Sequence, residues 1–243
     1  MPAPAGIVEA MSFFGDLIDF LLPETCAGCG GEPGLLCGVC AAPLYGPARP
    51  ARPAPPGLPP PWTVAAYEGA VQKIFSAYKE HGRTALAVPL GEALAIALDA
   101  ALPDQPPHVP PHDPASEPVP IVWVPSGRRA ARRRGHDPMR QAVAVAVRRL
   151  RAGGVPAVAV AGLRQCRPVA DQAGLGAKAR RDNLNGALVA VARAPLAGRS
   201  VILVDDVITT GASLAEAARA LRAAGADVAA AATVAATPLR RGW

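Results

Sequence analysis

Aromatic side chains are scarce in this 243-residue chain, which has only four Phe, three Trp and three Tyr. Stacking surfaces for single-stranded nucleic acid need such rings, so recognition by base stacking is disfavoured. Charge is thin as well, at 18% of residues, and much of the 51% apolar fraction is Ala. No run reads as long and apolar enough to span a bilayer, so membrane insertion is not expected. A basic n-region is missing, and the apolar stretch around Phe13–Leu22 is broken by Asp16 and Asp19. That is not the pattern of a signal peptide. It predicts an amphipathic helix ended by Pro23, in a cytoplasmic protein. Neither a Walker loop nor a GxGxxG fingerprint occurs, which excludes the two commonest nucleotide cradles.

Of the five cysteines, four are packed into one short stretch as Cys26-x2-Cys29-x7-Cys37-x2-Cys40. Two CxxC knuckles pair thiolates at the spacing a tetrahedral ion needs, and Gly28, Gly30, Gly31, Gly34 and Gly38 permit the tight turns. A closed, structural zinc site is the leading assignment. Disulfides are disfavoured without a secretion signal, and rubredoxin-like iron stays an alternative. Cys166 stands apart and reads as a small packing residue.

Two Pro-rich stretches divide the chain. Residues 1–42 hold the predicted helix and the metal module. Residues 43–62 read as an extended linker separating that module from the core. Residues 63–243 form the main domain, with residues 103–120, including His108 and His112, as a disordered insertion. Within the main domain, strand and helix patterns alternate. Residues 63–83 read as a strand, a turn at Glu68-Gly69 and an amphipathic helix, and a second helix spans about Pro89–Leu102. Ile121–Val124 is a short apolar strand, and Asp137-Pro138 is a helix start with Asp as N-cap and Pro at the first position. That helix runs to about Arg151, and Val155–Ala161 is the next strand. The rhythm predicts an α/β fold with a parallel sheet flanked by helices.

Net charge is +6, and residues 120–200 alone carry 16 basic against 3 acidic groups. The basic excess therefore lies in one stretch, including Arg128, Arg129, Arg132, Arg133 and Arg134. It points to a polyanion, either a pyrophosphate or a nucleic acid backbone.

The most informative run is Val204–Ser213, VDDVITTGAS. It follows the apolar Val201-Ile202-Leu203, which reads as a parallel strand covered on both faces. It leads into a helical pattern, so the loop lies where ligands bind in open α/β sheets. Thr209, Thr210, Gly211, Ala212 and Ser213 offer backbone N–H groups, hydroxyls and a Gly at a helix N-terminus, a cradle for a phosphate. Asp205 and Asp206 are acceptor-only carboxylates that suit a neutral diol such as the 2′- and 3′-hydroxyls of ribose. A 5′-phosphorylated ribose satisfies both halves.

This run resembles the signature of the type I phosphoribosyltransferases, which bind phosphoribosyl pyrophosphate (PRPP) with magnesium. The order of motifs is further similar to the ComF-like subgroup, associated with bacterial competence. Its pattern has a double CxxC, then Tyr67-x-Gly69 and Lys79, then Val124-Pro125 through Arg134-Gly135, then Gln172, Leu175, Arg180 and Asn183. One departure is that His136-Asp137-Pro138 stands where the subgroup often has Phe-Asn-Gln.

The resemblance implies a type I phosphoribosyltransferase-like sheet with a small zinc-ribbon-like module. Thr209–Ser213 would hold the 5′-phosphate, and Asp205 and Asp206 the ribose diol. Ser126, Gly127 and Arg128 correspond to a pyrophosphate loop, where Arg128 and Arg129 would neutralise the leaving diphosphate with magnesium. Residues 164–183 correspond to a mobile hood, in which Gly174 and Gly176 permit motion and Arg180 reaches the diphosphate on closure. Asp205, Asp206 and Arg128 are the expected catalytic residues. No strong general base is visible: His136 or Asp137 could be proposed, but Asp137 is better explained as the helix cap. Three roles stay open: a transferase acting on an unidentified acceptor, a PRPP-sensing regulator, and a DNA-uptake accessory that contacts single-stranded DNA or a competence helicase.

Overall fold

The computed structural model describes residues 25–52, 54, 57–102, 117–127, 137–169, 177–194 and 196–238. The expected helix around Phe13–Leu22, the stretch 103–116, Arg128–His136, and Gln172 through Gly176 lie outside the described residues, as does the Arg180 side chain.

Eight strands are described: β1 (Arg49–Pro50), β2 (Trp62–Ala66), β3 (Val119–Trp123), β4 (Ala157–Val160), β5 (Leu163–Gln165), β6 (Leu188–Ala190), β7 (Ser200–Ile208) and β8 (Asp227–Ala236). The main helices are α1 (Gly69–Glu80), α2 (Ala87–Ala101), α3 (Pro138–Ala152), α4 (Ala177–Leu184) and α5 (Ala212–Ala223). Six strands form one sheet in the order β1-β2-β8-β7-β3-β4, and β5 pairs with β6 in a separate two-stranded unit. Every pairing in the large sheet is parallel except that of β1 with β2.

Alternation along the central strands puts helices on both faces. Ile202 and Val204 of β7 join Ile121 of β3 in a core with α1, α2 and α3. Val201 and Leu203 face the other way, onto Leu214, Ala217 and Leu221 of α5 and Leu188 of β6. The closest helix contact is at Gly91, where a Cβ would lie 2.5 Å from Val145 Cβ. Asp137 caps α3 by accepting from the Met139 N–H, and Pro138 takes the first helical position, as the sequence predicts.

The chain leaves β3 through α3 to reach β4 on one side, and leaves β7 through α5 to reach β8 on the other. The carboxyl ends of β3 and β7 are therefore neighbours at the point where the chain reverses direction across the sheet. The Val124 N–H donates to Val204 O at 2.9 Å there. Such a switch point opens a crevice suited to a ligand.

Several expectations need correction. Residues 43–62 do not act as a spacer. Leu44 is fully buried, Ala51 and Leu58 are buried, and β1 pairs with β2 through Arg49↔Thr63 and Pro50↔Trp62. Proline lacks a donor but is accepted on a sheet edge, so Pro-rich composition did not prevent docking. Thr84–Ala101 is apolar enough by composition, at a mean hydropathy of 1.5 over 18 residues, contrary to the reading that no such run exists. In the fold this stretch is a core helix in which Leu90, Leu94 and Leu98 are buried. Val119 and Pro120, placed in the insertion by composition, belong to β3 and pair with Ala157 and Val158. Cys166 is exposed rather than packed, and its thiol donates to Gly186 O at 3.2 Å.

Candidate functional site

The four cysteine Sγ atoms at positions 26, 29, 37 and 40 all lie within 4.8 Å of one another. Thiolates about 2.3 Å from a zinc ion sit roughly 3.8 Å apart along the edges of a tetrahedron. Cys29 and Cys37 are 3.9 Å apart, so the donor set fits a metal such as zinc. Backbone amides support the sulfurs: Cys37 N–H and Gly28 N–H donate to Cys26 Sγ at 3.3 and 3.4 Å. Burial pushes the Cys26 thiol up, but these donors outweigh it and lower it to about 6. Burial and the three neighbouring sulfurs push Cys40 up to about 12. Four thiols this close cannot all ionise without a cation among them, which is the electrostatic argument for a metal. A Cβ at Gly28 would stand 2.6 Å from Cys40 Sγ, so Gly lets the knuckle close. The module is fastened to the main domain where Arg83 Nη1 donates to Thr25 O at 2.8 Å.

The second site lies at the carboxyl end of β7. Asp205, Val207, Ile208, Thr209, Thr210, Gly211, Ala212, Ser213 and Leu214 line an open pocket of roughly 240 Å³. Gly211 adopts φ 73°, the left-handed region, immediately before α5. Only Gly takes this conformation at little cost, and it turns the first N–H groups of α5 toward the pocket. Those groups lack intrahelical partners and carry the positive end of the helix dipole. The Ala212 N–H donates to Thr210 Oγ1 at 3.4 Å.

β7 extends further than its apolar run implied, so both aspartates lie inside the strand. Asp205 sits in register with Thr233 of β8, which in turn pairs with Thr63 of β2. Thr63 and Thr233 are buried, and neither hydroxyl makes a hydrogen bond. Asp205 accepts from the Asp206 N–H at 2.9 Å. Burial and the neighbouring Asp206 charge nevertheless raise its carboxyl to about 8. Asp206 turns toward α1, where Lys79 Nζ forms an ion pair with Oδ2. Desolvation works against the Lys79 charge, but Asp206 and Asp205 together hold its ammonium above the usual lysine range.

Lys79, which the motif pattern includes without a role, is the residue the fold adds beside the two aspartates. Val71, Phe75 and Lys79 recur at helical spacing, and Val71 and Phe75 are buried. A lysine on an apolar stripe was the available signal.

Beyond β3, Ser126 and Gly127 continue the strand end. Ser126 Oγ donates to Asp137 Oδ1 at 3.4 Å, and Trp123 Nε1 donates to Asp137 Oδ2 at 3.0 Å. Asp137 therefore ties together the two ends of the Arg-rich turn. Arg128 and Arg129 lie outside the described residues, and Arg180 is placed only by its backbone in α4.

The β5–β6 unit is clamped to α5 by Glu216. Its carboxylate accepts the Leu188 N–H at 3.0 Å and Arg219 Nε at 2.7 Å. Burial pushes Glu216 up, but Arg219 and the backbone donors win and hold it below the usual carboxylate range.

The sheet, the crevice at its switch point and the strand–turn–helix pocket define an α/β protein with a pocket at the N-terminus of α5. Residues 157–242 match the family described as phosphoribosyl transferase domain, about a third of the chain. The matched segment runs from β4 through β8, and both aspartates and the whole pocket lie in it. No curated protein matches the chain significantly.

Proposed function

We propose that this protein binds PRPP and transfers its ribose 5-phosphate to an acceptor, releasing pyrophosphate. The observation that carries the reading is the pocket of Asp205 and Thr209–Ser213 inside the family-matched segment. Thr209–Ser213 cradles the 5′-phosphate at the α5 N-terminus. Asp205 and Asp206 receive the ribose diol. The bond from C1 to the diphosphate oxygen breaks, and the diphosphate leaves with the electron pair. A lone pair of the acceptor forms the new bond at C1 and the acceptor loses a proton. Such chemistry passes through a cationic sugar, so positioning and stabilisation of the leaving group dominate. Ser126, Gly127, Arg128, Arg129 and Arg180 serve the diphosphate, for which guanidinium forks are suited. Magnesium carried with PRPP would supply positive charge to the diphosphate, and the hard carboxylate of Asp205 at the pocket is compatible with it.

The double CxxC and the motif order favour the ComF-like subgroup and a cytoplasmic role in competence. A second reading, a DNA-uptake accessory, draws on the exposed Arg140, Arg148 and Arg151 of α3, a face open to a phosphate backbone. A PRPP-sensing regulator would share the pocket without turnover. Calorimetric titration with PRPP and magnesium, followed by a pyrophosphate-release assay with candidate bases, tests the main reading. Saturable binding with release upholds it, and binding without release under any base favours the sensor. Absence of PRPP binding, with single-stranded DNA affinity that falls steeply with salt, would replace it by the accessory role.

A further inference from the structure

We propose that Lys79 is a positioning residue of the ribose site, holding Asp206 as the charged, oriented carboxylate that selects a vicinal diol over a 2-deoxy sugar. The inference rests on the phosphoribose reading of the pocket and adds to it a residue from outside the family-matched segment.

The geometry comes from three elements. The last turn of α1 brings Lys79 to β7, where its ammonium pairs with Asp206 Oδ2, the two side chains being 28% and 18% exposed. The same ammonium lies 5.4 Å from the Phe75 ring centre. Phe75 is itself fixed edge-on by Tyr67, with ring centres 5.8 Å apart. An aromatic wall below and a carboxylate above leave Lys79 little freedom, so the pair is preorganised.

Charge explains why the site needs it. Asp205 and Asp206 are adjacent in sequence, and the pocket beside them is built for a phosphate dianion. Two uncompensated carboxylates there would repel each other. Among the described residues, Tyr67, from the turn preceding α1, also faces Lys79, and Tyr78 of α1 faces Asp137 and Asp206. None of these supplies a second cation. Lys79 therefore cancels one charge and holds the Asp206 carboxylate in place. The result is an asymmetric pair: Asp206 is held by Lys79 of α1, while Asp205 lines the phosphate pocket. Hydrogen bonds from a sugar hydroxyl to a charged acceptor discriminate strongly, because removing the hydroxyl leaves that acceptor unpaired.

The test is calorimetric titration of the full-length protein with ribose 5-phosphate, 2-deoxyribose 5-phosphate and inorganic phosphate. Wild type is expected to prefer ribose 5-phosphate by about tenfold or more. Lys79→Met should remove most of that preference while inorganic phosphate binds within about twofold of wild type. Lys79→Arg should retain the preference. In an Asp206→Asn background, Lys79→Met should cause no further loss, since Lys79 acts through Asp206. That double variant leaves no unpaired charge and serves if Lys79→Met alone does not fold. A preserved sugar preference in Lys79→Met, an equal loss of sugar and inorganic phosphate, or an additional loss in the Asp206→Asn background would each overturn the inference while leaving the phosphoribose reading intact. Failure of wild type to bind either sugar phosphate would overturn that reading, and the inference with it.

Discussion

Asp205→Asn should make the ligand-free protein more stable near neutral pH. The carboxyl rises from 3.8 to about 8 in the fold, because burial and the Asp206 charge disfavour its anion. A carboxylic acid with a raised folded value binds its proton more tightly when folded. Its contribution is most favourable below about pH 4 and is lost progressively as pH rises toward 8. At one unit per 1.36 kcal/mol, the full shift would cost about 4 kcal/mol at pH 7. Asp205 is only half-buried, so water and relaxation reduce this to about 2 kcal/mol. Asn removes the ionisation yet keeps an oxygen to accept the Asp206 N–H. In a protein of this size, about 2 kcal/mol corresponds to roughly 4–8 °C in Tm. Calorimetric melts of both proteins between about pH 4.5 and 8.5 would measure it, the expected gap being small in acid and widest at pH 8. A gap that does not change with pH, or a less stable Asn variant at pH 8, would refute the reasoning. Stability gained at a site that loses its ligand is the usual trade at a functional position.

Cys26→Ser should lower bound metal to well below one equivalent per chain, checked by metal analysis of the purified proteins, while the parallel sheet survives by far-UV dichroism. Glu216→Ala should cost about 3 kcal/mol in denaturant melts, because it strands the Leu188 N–H and unpairs Arg219. As the folded Glu216 value is depressed, that difference should be full above about pH 4.5 and shrink as pH falls further. Thr233→Val removes a buried hydroxyl with no partner, and should raise stability by about 1 kcal/mol in the same melts; a loss would mean the hydroxyl is satisfied in solution.

How much of this was legible in the chain depends on which physics each element uses. β7 and its turn were readable because a doubly covered strand shows as an apolar run, and a phosphate cradle needs Gly at a left-handed position. The α3 start was readable because capping is local. β8 was not, since DVAAAATVAA is mostly Ala, the strongest helix former. Its strand state comes from pairing with β2 and β7, a non-local effect that no window of sequence contains. The Pro-rich 43–62 segment misled for the related reason that a few anchors, Leu44, Ala51 and Leu58, outweigh composition once a surface exists to receive them. Lys79 shows the same limit at the site. Its place on the apolar stripe of α1 marks it as unusual, but its partner lies 127 positions further on, at Asp206. The sheet order brings the two together, with β2 leading into α1 on one side of β8 and β7 on the other. The part of the chain before residue 157 is therefore not a mere support for the matched domain: it supplies the cation that balances the site's carboxylates.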